Sequence, residues 1–238
     1  MKSNLILLLL VTVIFSCSIS ESNENDNQPK LIMVTELITQ NGELTDFGPE
    51  SNVTYQYNSN NFVSVLTASG GYIKEFTYNS NNQVISETYN NENGVSYTIN
   101  YMYENGLITM ETYEDDSYKE FVYTNNLVSQ MLFNYPNNPQ NNSSISLTYD
   151  ANGNIKTLID DATSEIFESY DYDNMINPFS LLFPSSYNKI KRISNNNMTY
   201  REDCNRITVY DYNNQNLPLS STYNDCGGFT KERVYFYE

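Results

Sequence analysis

The chain has 238 residues with 22 Tyr, 11 Phe, no Trp and no His, and a formal net charge of −17. A chain this acidic repels phosphate backbones and anionic headgroups, which excludes nucleic acid as a partner and surface charge as a means of holding acidic lipid. Without His, the commonest general base and any Ser-His-Asp or Cys-His arrangement are excluded as well. Asn and Asp favour turns and tolerate positive φ, while Tyr, Phe, Val, Ile and Thr favour strands. The compositional biases therefore predict many strands joined by tight turns, with little helix.

Residues 1–16 have the parts of an export signal: Lys2, an apolar run from Leu5 to Phe15 broken by Thr12, and Ser16 before Cys17. The run is short for a transmembrane helix. After Cys17, residues 18–30 are polar and acidic, with almost nothing to bury, and read as a disordered tether. Ile14-Phe15-Ser16-Cys17 resembles the cleavage box of bacterial lipoproteins, which implies Cys17 as the diacylated first residue of the mature chain. Cleavage by the ordinary signal peptidase is the competing reading. Ser18 after the Cys resembles an outer-membrane address.

Patterning begins at Leu31. Leu31–Gln40 and Val53–Tyr57 alternate as strands, with Asn41-Gly42 as a turn. A motif then recurs: Tyr57-Asn-Ser-Asn-Asn-Phe-Val63, Tyr78-Asn-Ser-Asn-Asn-Gln-Val84 and Tyr149-Asp-Ala-Asn-Gly-Asn-Ile155. Tyr212-Asn-Asn-Gln-Asn-Leu-Pro218 is a degenerate copy, and Tyr103 and Tyr123 open shortened ones. Steps of 21, 25, 20 and 26 residues separate these tyrosines up to Tyr149, the length of one hairpin and its connection. Between Tyr97 and Tyr113, Asn105-Gly106 predicts a two-residue turn. That turn sets Tyr103 opposite Ile108, Tyr101 opposite Met110 and Ile99 opposite Thr112, so Ile99, Tyr101, Tyr103, Ile108 and Met110 share one face and Thr109 and Glu111 the other.

The Tyr-Asp-Ala-Asn-Gly-Asn-Ile motif resembles the YD or RHS repeat, most evenly from Val53 to Ile159 and again from Arg206 to Tyr237. The resemblance implies hairpins laid edge to edge in one winding antiparallel sheet, as in small envelope lipoproteins with such repeats. The expected fold of residues 31–238 is all-β: an antiparallel β-meander forming one long twisted or curled sheet. Its ends would be edge strands, with Lys and Glu in the last strand discouraging pairing between copies. Asp171–Pro184, with two prolines and several large apolar residues, reads as a plug of loop or short helix that caps the core or lines a pocket. Cys204 and Cys226 stand about equally far from the turn at Asn213–Asn216, which in an oxidising compartment predicts a disulfide across paired strands.

Candidate chemistry rests on carboxylates in or beside turns: Glu114-Asp115-Asp116, Asp160-Asp161 with Glu165, and Asp171 with Asp173. Two carboxylates run glycoside hydrolysis only at a fixed separation in a cleft, and turn acids are ordinarily solvated. Asp160–Glu165 lacks the EF-hand spacing for calcium. Rows of Tyr either stack sugars, or present contact area to a protein, or simply fill the buried face of strands. The expectation is thus a noncatalytic envelope binding or scaffold module, or alternatively a glycan-binding or glycan-processing lipoprotein. It would carry no catalytic residues, cofactor or metal, with the outer membrane reached through the lipid, and a glycan or an envelope protein as candidate partners.

Overall fold

The computed structural model describes residues 29–40, 43–44, 51–94, 96–202 and 205–238. The strands are β1 (Leu31–Gln40), the two-residue β2 (Glu43–Leu44), β3 (Ser51–Tyr57), β4 (Val63–Ala68), β5 (Tyr72–Tyr78), β6 (Val84–Asn90), β7 (Ser96–Glu104), β8 (Leu107–Thr112) and β9 (Tyr118–Thr124). They continue with β10 (Leu127–Asn134), β11 (Ser143–Tyr149), β12 (Ile155–Asp160), β13 (Ile166–Ile176), β14 (Asn196–Arg201), β15 (Arg206–Tyr212), β16 (Pro218–Asn224) and β17 (Phe229–Tyr237). Between β13 and β14 lie a 3-10 turn at Pro178–Leu181 and one helix, α1 (Ser185–Ile190).

From β3 onward each strand pairs antiparallel with the next. The first strand meets the last from Leu31↔Tyr237 to Gln40↔Phe229, and on its other side meets β3 from Met33↔Thr54 to Glu36↔Ser51. The sheet therefore closes into a 16-stranded barrel, with β2 a short addition beside the end of β1. This corrects the open curled sheet expected from the sequence. The two strands expected at free edges satisfy each other's backbone groups, and closure removes the edges altogether. Lys30 and Glu238 finish the seam with reciprocal backbone bonds of 3.0 Å.

The recurring motif has a local cause. In the copy at Asn79, the side-chain Oδ1 accepts from the backbone N–H groups of Asn81 and Gln83 at 2.9 and 3.0 Å, and Asn82 takes φ +61°. Asn58, Asp150, Asn213 and Asp225 build the same turn, with Asn61, Gly153, Asn216 and Gly228 at the positive-φ position. Asx side chains bond their own backbone two residues on and tolerate the left-handed region, so the motif is a turn with a built-in fastener. Just after most of these turns the register shifts by one residue: Tyr78 pairs with Val84 but Thr77 with Ser86, and Tyr149 with Ile155 but Thr148 with Thr157. Such a bulge puts two residues against one and resets which side chains face inward.

The bulge corrects the register expected for the Tyr97–Tyr113 hairpin. Tyr103 does lie opposite Ile108, but beyond the shift Tyr101 faces Glu111 and Met102 faces Met110. Glu111 is carried to the inside and Met110 to the wall's outer side. Each strand after a turn thus places inward residues three apart: Val63 and Leu66, Val84 and Glu87, Ile108 and Glu111, Val128 and Met131, Ile155 and Leu158.

A 16-stranded barrel is wide enough to leave a channel unless something fills it. Here the filling is aromatic side chains plus the β13–β14 connection. Asp171–Ile176, expected within a loop or short helix, instead extends β13. The segment that follows passes inside, where the Asn177 side chain accepts from Phe179 N–H at 3.1 Å and Leu182 O accepts from Val63 N–H at 2.9 Å. Phe183 and Tyr187 pack on Phe76 with ring centroids 4.7 and 6.0 Å away, and Tyr187 meets Tyr101 edge to face at 5.6 Å. Outside, the strands present Thr54, Gln56, Glu75, Thr77, Asn100, Thr148 and Thr222, all exposed. Hydroxyls pair across the outer wall, Thr88 with Thr98 at 3.1 Å and Thr148 with Thr157 at 2.6 Å.

Candidate functional site

Although the chain is strongly acidic, many of its cations turn inward. Lys191, directly after α1, places Nζ 3.0 Å from Glu87 Oε1 and 3.0 Å from Glu111 Oε2. Lys119 reaches Glu111 Oε1 at 2.9 Å, and Lys74 stands 3.7 Å from Glu87 Oε2. Both carboxylates are fully buried. Tyr89 donates to Glu87 at 3.0 Å, Tyr187 also donates to Glu87, and Tyr113 donates to Glu111. Burial alone would raise both carboxyl pKa values. Lys191 with Lys74 at Glu87, and Lys191 with Lys119 at Glu111, outweigh it together with the tyrosine hydroxyls, so both stay below the usual carboxylate range. The Lys74 ammonium, 4.2 Å from the Tyr89 ring centroid, is pushed down chiefly by desolvation.

A second group stands on β1, β16 and β17. Arg233 Nε lies 2.6 Å from Glu36 Oε2, and its Nη2 donates to the Tyr223 hydroxyl at 3.0 Å. Arg206 stacks over the same ring at 5.2 Å. On β13 and β14, Arg201 Nη2 pairs with Glu168 Oε1 at 2.8 Å.

Between the plug and the wall formed by β13–β15 and β17 lies a cavity of about 490 Å³. Tyr55, Tyr170, Tyr172, Tyr210 and Tyr235 line it, with Asn177, Asn196 and Asn197, and with Lys191, Arg192, Arg201 and Arg233. That volume suits a small ligand of one or two rings. The single carboxylate among the lining residues is Glu168, held by Arg201. Among the described residues, no pair of carboxylates therefore flanks the cavity as glycoside hydrolysis would require.

The acids singled out in the sequence lie elsewhere, each engaged in local structure. Glu114 accepts from Thr98 N–H at 2.8 Å, and Asp115 from Ser117 N–H at 3.1 Å. Asp160 accepts from the N–H groups of Ala162 and Thr163, while Asp161 holds Ser146 and Gln130. Asp171 pairs with Lys156 on the outer surface, and Asp173 accepts from Met175 N–H and Tyr212. Cys17 lies outside the described residues. Cys226 is disulfide-bonded, with Arg206 Nη2 3.9 Å from its Sγ, while Cys204, the partner expected for it, also lies outside the described residues. The buried Glu87 and Glu111 were missed by reading strict alternation, and Lys191 because it reaches them from the plug. The three-residue inward step after each turn, with Leu66, Met131 and Leu158 at the places Glu87 and Glu111 take, was the available signal.

No family model matches the chain, and no curated protein does. Among solved structures, the chain is similar to a porin-like protein from Bacteroides uniformis, at 12% identity and TM-score 0.43, covering 87% of this chain and 98% of that one. A porin-like protein from Bacteroides vulgatus is similar at 10% identity and TM-score 0.42, over 89% and 99%. The Photorhabdus luminescens Tc holotoxin pore matches at 11% identity and TM-score 0.37, over 87% of this chain and 11% of that one. The resemblance to YD or RHS repeat lipoproteins is accordingly withdrawn. Its motif is accounted for by the Asx turn and, in most copies, the bulge that follows it.

Proposed function

We propose that this chain is an exported envelope lipoprotein whose barrel stands in water beside the outer membrane as a noncatalytic binding module. The observation that carries this reading is the polarity of the wall. A barrel that spans a bilayer turns an apolar band outward and keeps polar residues inside. Here Phe76, Tyr101, Phe121, Leu147 and Tyr235 are buried inside, while Thr, Ser, Asn, Gln and Glu side chains face out. Exposed apolar side chains on β5–β7, β9 and β13, such as Ile73, Ile85, Met102, Val122 and Phe167, and the denser group Ile207, Val209, Leu219 and Val234 on β15–β17, are interspersed with those polar residues and do not form the continuous apolar band of a lipid-facing wall.

The leader and Cys17 supply the attachment in this reading, and residues 18–30 the tether. Lys30 and Leu31 enter at the end that carries the asparagine turns. The charged half of the interior lies toward the other end, facing away from the attachment. Binding is favoured over scaffolding alone by the tyrosine-lined cavity.

Metabolic labelling with palmitate, followed by protease shaving of intact cells, tests this proposal. The expected result is lipid on the native chain and none on Cys17→Ala, with the variant released into the soluble fraction. Label retained after Cys17→Ala, or a variant that still needs detergent for extraction, would overturn it.

A further inference from the structure

We infer that the cavity between the plug and β13–β15 binds a short acidic saccharide, with Arg192 receiving its carboxylate. The inference deepens the binding-module reading and rests on it. Its basis is the difference between Arg192 and the other cations of the cavity wall. Lys191 is held by Glu87 and Glu111, Arg201 by Glu168, and Arg233 by Glu36. Arg192 lines the same cavity, is exposed, and has no carboxylate partner among the described residues. It also occupies the position just past the C-cap of α1 at φ +59°, in the left-handed region where glycine is the usual residue. Its side chain carries a planar, permanently charged, two-pronged donor, the group best matched to a carboxylate.

Tyr55 is the independent second observation. It is 8% exposed, it lines the cavity, and its hydroxyl has no hydrogen-bond partner among the described residues. The ring is buried but the hydroxyl oxygen is not sealed from solvent, so it opens to the cavity, where a polar group of a ligand can take the place of water. Other hydroxyls here already donate into the wall, Tyr210 to Met198 O at 3.1 Å and Tyr170 to Glu168. Their oxygens keep lone pairs that accept from a ligand. Aromatic faces, hydroxyl acceptors and one uncommitted guanidinium match a sugar acid: a ring to lie on tyrosine, hydroxyls to donate, a carboxylate for Arg192. A fatty-acid anion would use the guanidinium but leave the Tyr55 hydroxyl without a partner.

Calorimetric titration of the mature chain with digalacturonate, digalactose and laurate tests the inference. The native protein should bind digalacturonate at least about tenfold more tightly than digalactose, as expected when one charged contact is lost. Arg192→Gly, which relieves the left-handed backbone, should erase that preference with the melting temperature unchanged or raised. Tyr55→Phe should weaken both sugars. Equal binding of the acid and the neutral sugar, full binding by Arg192→Gly, or binding of laurate in place of either sugar would overturn the assignment. Failure to bind sugar would leave the lipid anchoring of Cys17 standing, and absence of the lipid would leave this titration unaffected, so the two readings fail separately.

Discussion

The Tyr78 hydroxyl donates to the backbone carbonyl of Val63 at 2.6 Å, fastening one hairpin to the one before it. The same stitch joins Tyr103 to Val84, Tyr123 to Ile108 and Tyr149 to Val128, at 2.9, 2.7 and 2.8 Å. In these four copies the tyrosine that opens the motif therefore locks its own turn to the preceding bulge, where the ladder is weakest. Tyr78→Phe keeps the ring and deletes the bond. It should cost about 1 kcal/mol, seen as a melting temperature lower by roughly 2–4 °C for a chain of this size. Tyr135→Phe, at an exposed ring, should change nothing measurable.

The turn position at φ +61° makes Asn82 replaceable only in one direction. Asn82→Gly should be close to neutral: Gly153 and Gly228 already fill that place in sister turns, and the relief of the left-handed backbone is offset by loss of the exposed bond from Asn60 Nδ2 to Asn82 Oδ1. Asn82→Val should destabilise by about 1–2 kcal/mol, since a branched side chain resists the left-handed region. Denaturant midpoints of the two variants check this.

Lys191 holds two buried carboxylates, so its removal strands charge rather than merely deleting a contact. Lys191→Met should cost about 3–5 kcal/mol, as loss of one partner of a buried pair does. Changing Glu87, Glu111 and Lys191 together to Met should recover part of that loss, because Leu66, Met131 and Leu158 fill the equivalent places while Lys74 and Lys119, both within reach of water, lose their carboxylates. Urea unfolding of the single and triple variants separates a charge effect from a packing effect.

The same network fixes the acid limit. Glu87 and Glu111 have folded pKa values below those of the unfolded chain. Their stabilisation is therefore complete above the unfolded carboxylate pKa of about 4.3 and fades as the pH falls through the folded values. Glu87→Gln with Glu111→Gln should flatten the stability profile below about pH 4. At the alkaline end the sign reverses. Burial raises Tyr149 to about 12, and Tyr55, Tyr57, Tyr78 and Tyr123 are pushed up further by the same cause. The unfolded chain gives up these protons first, so stability present below about pH 10 is lost as pH rises beyond it. Tyrosinate absorbance for these residues should appear together with unfolding.

Much of the wall was legible in the residues. Leu31–Gln40 is a strand over that full span, and the asparagine turns fall where the motif puts them. Alternation failed where the bulges intervene, and that failure hid Glu87 and Glu111. The slip is set by how a five-residue turn meets a twisted ladder, and only the repeated three-residue step betrays it. Closure was illegible for another reason: Val34 meets Tyr235 across almost the whole chain, and no local pattern encodes that pairing. Arg192 and Tyr55 come together only because the plug folds inward, so the cavity has no signature in the motif.

A barrel wall that faces water is the premise on which the binding-module reading rests. The chain has no Trp, and Val209 is 65% exposed on the outer wall, so Val209→Trp gives a single reporter in the lipidated protein reconstituted with vesicles. Its emission should be that of an indole in water, unquenched by brominated lipid chains. A blue-shifted emission quenched by those chains would place the wall in the bilayer and contradict the account.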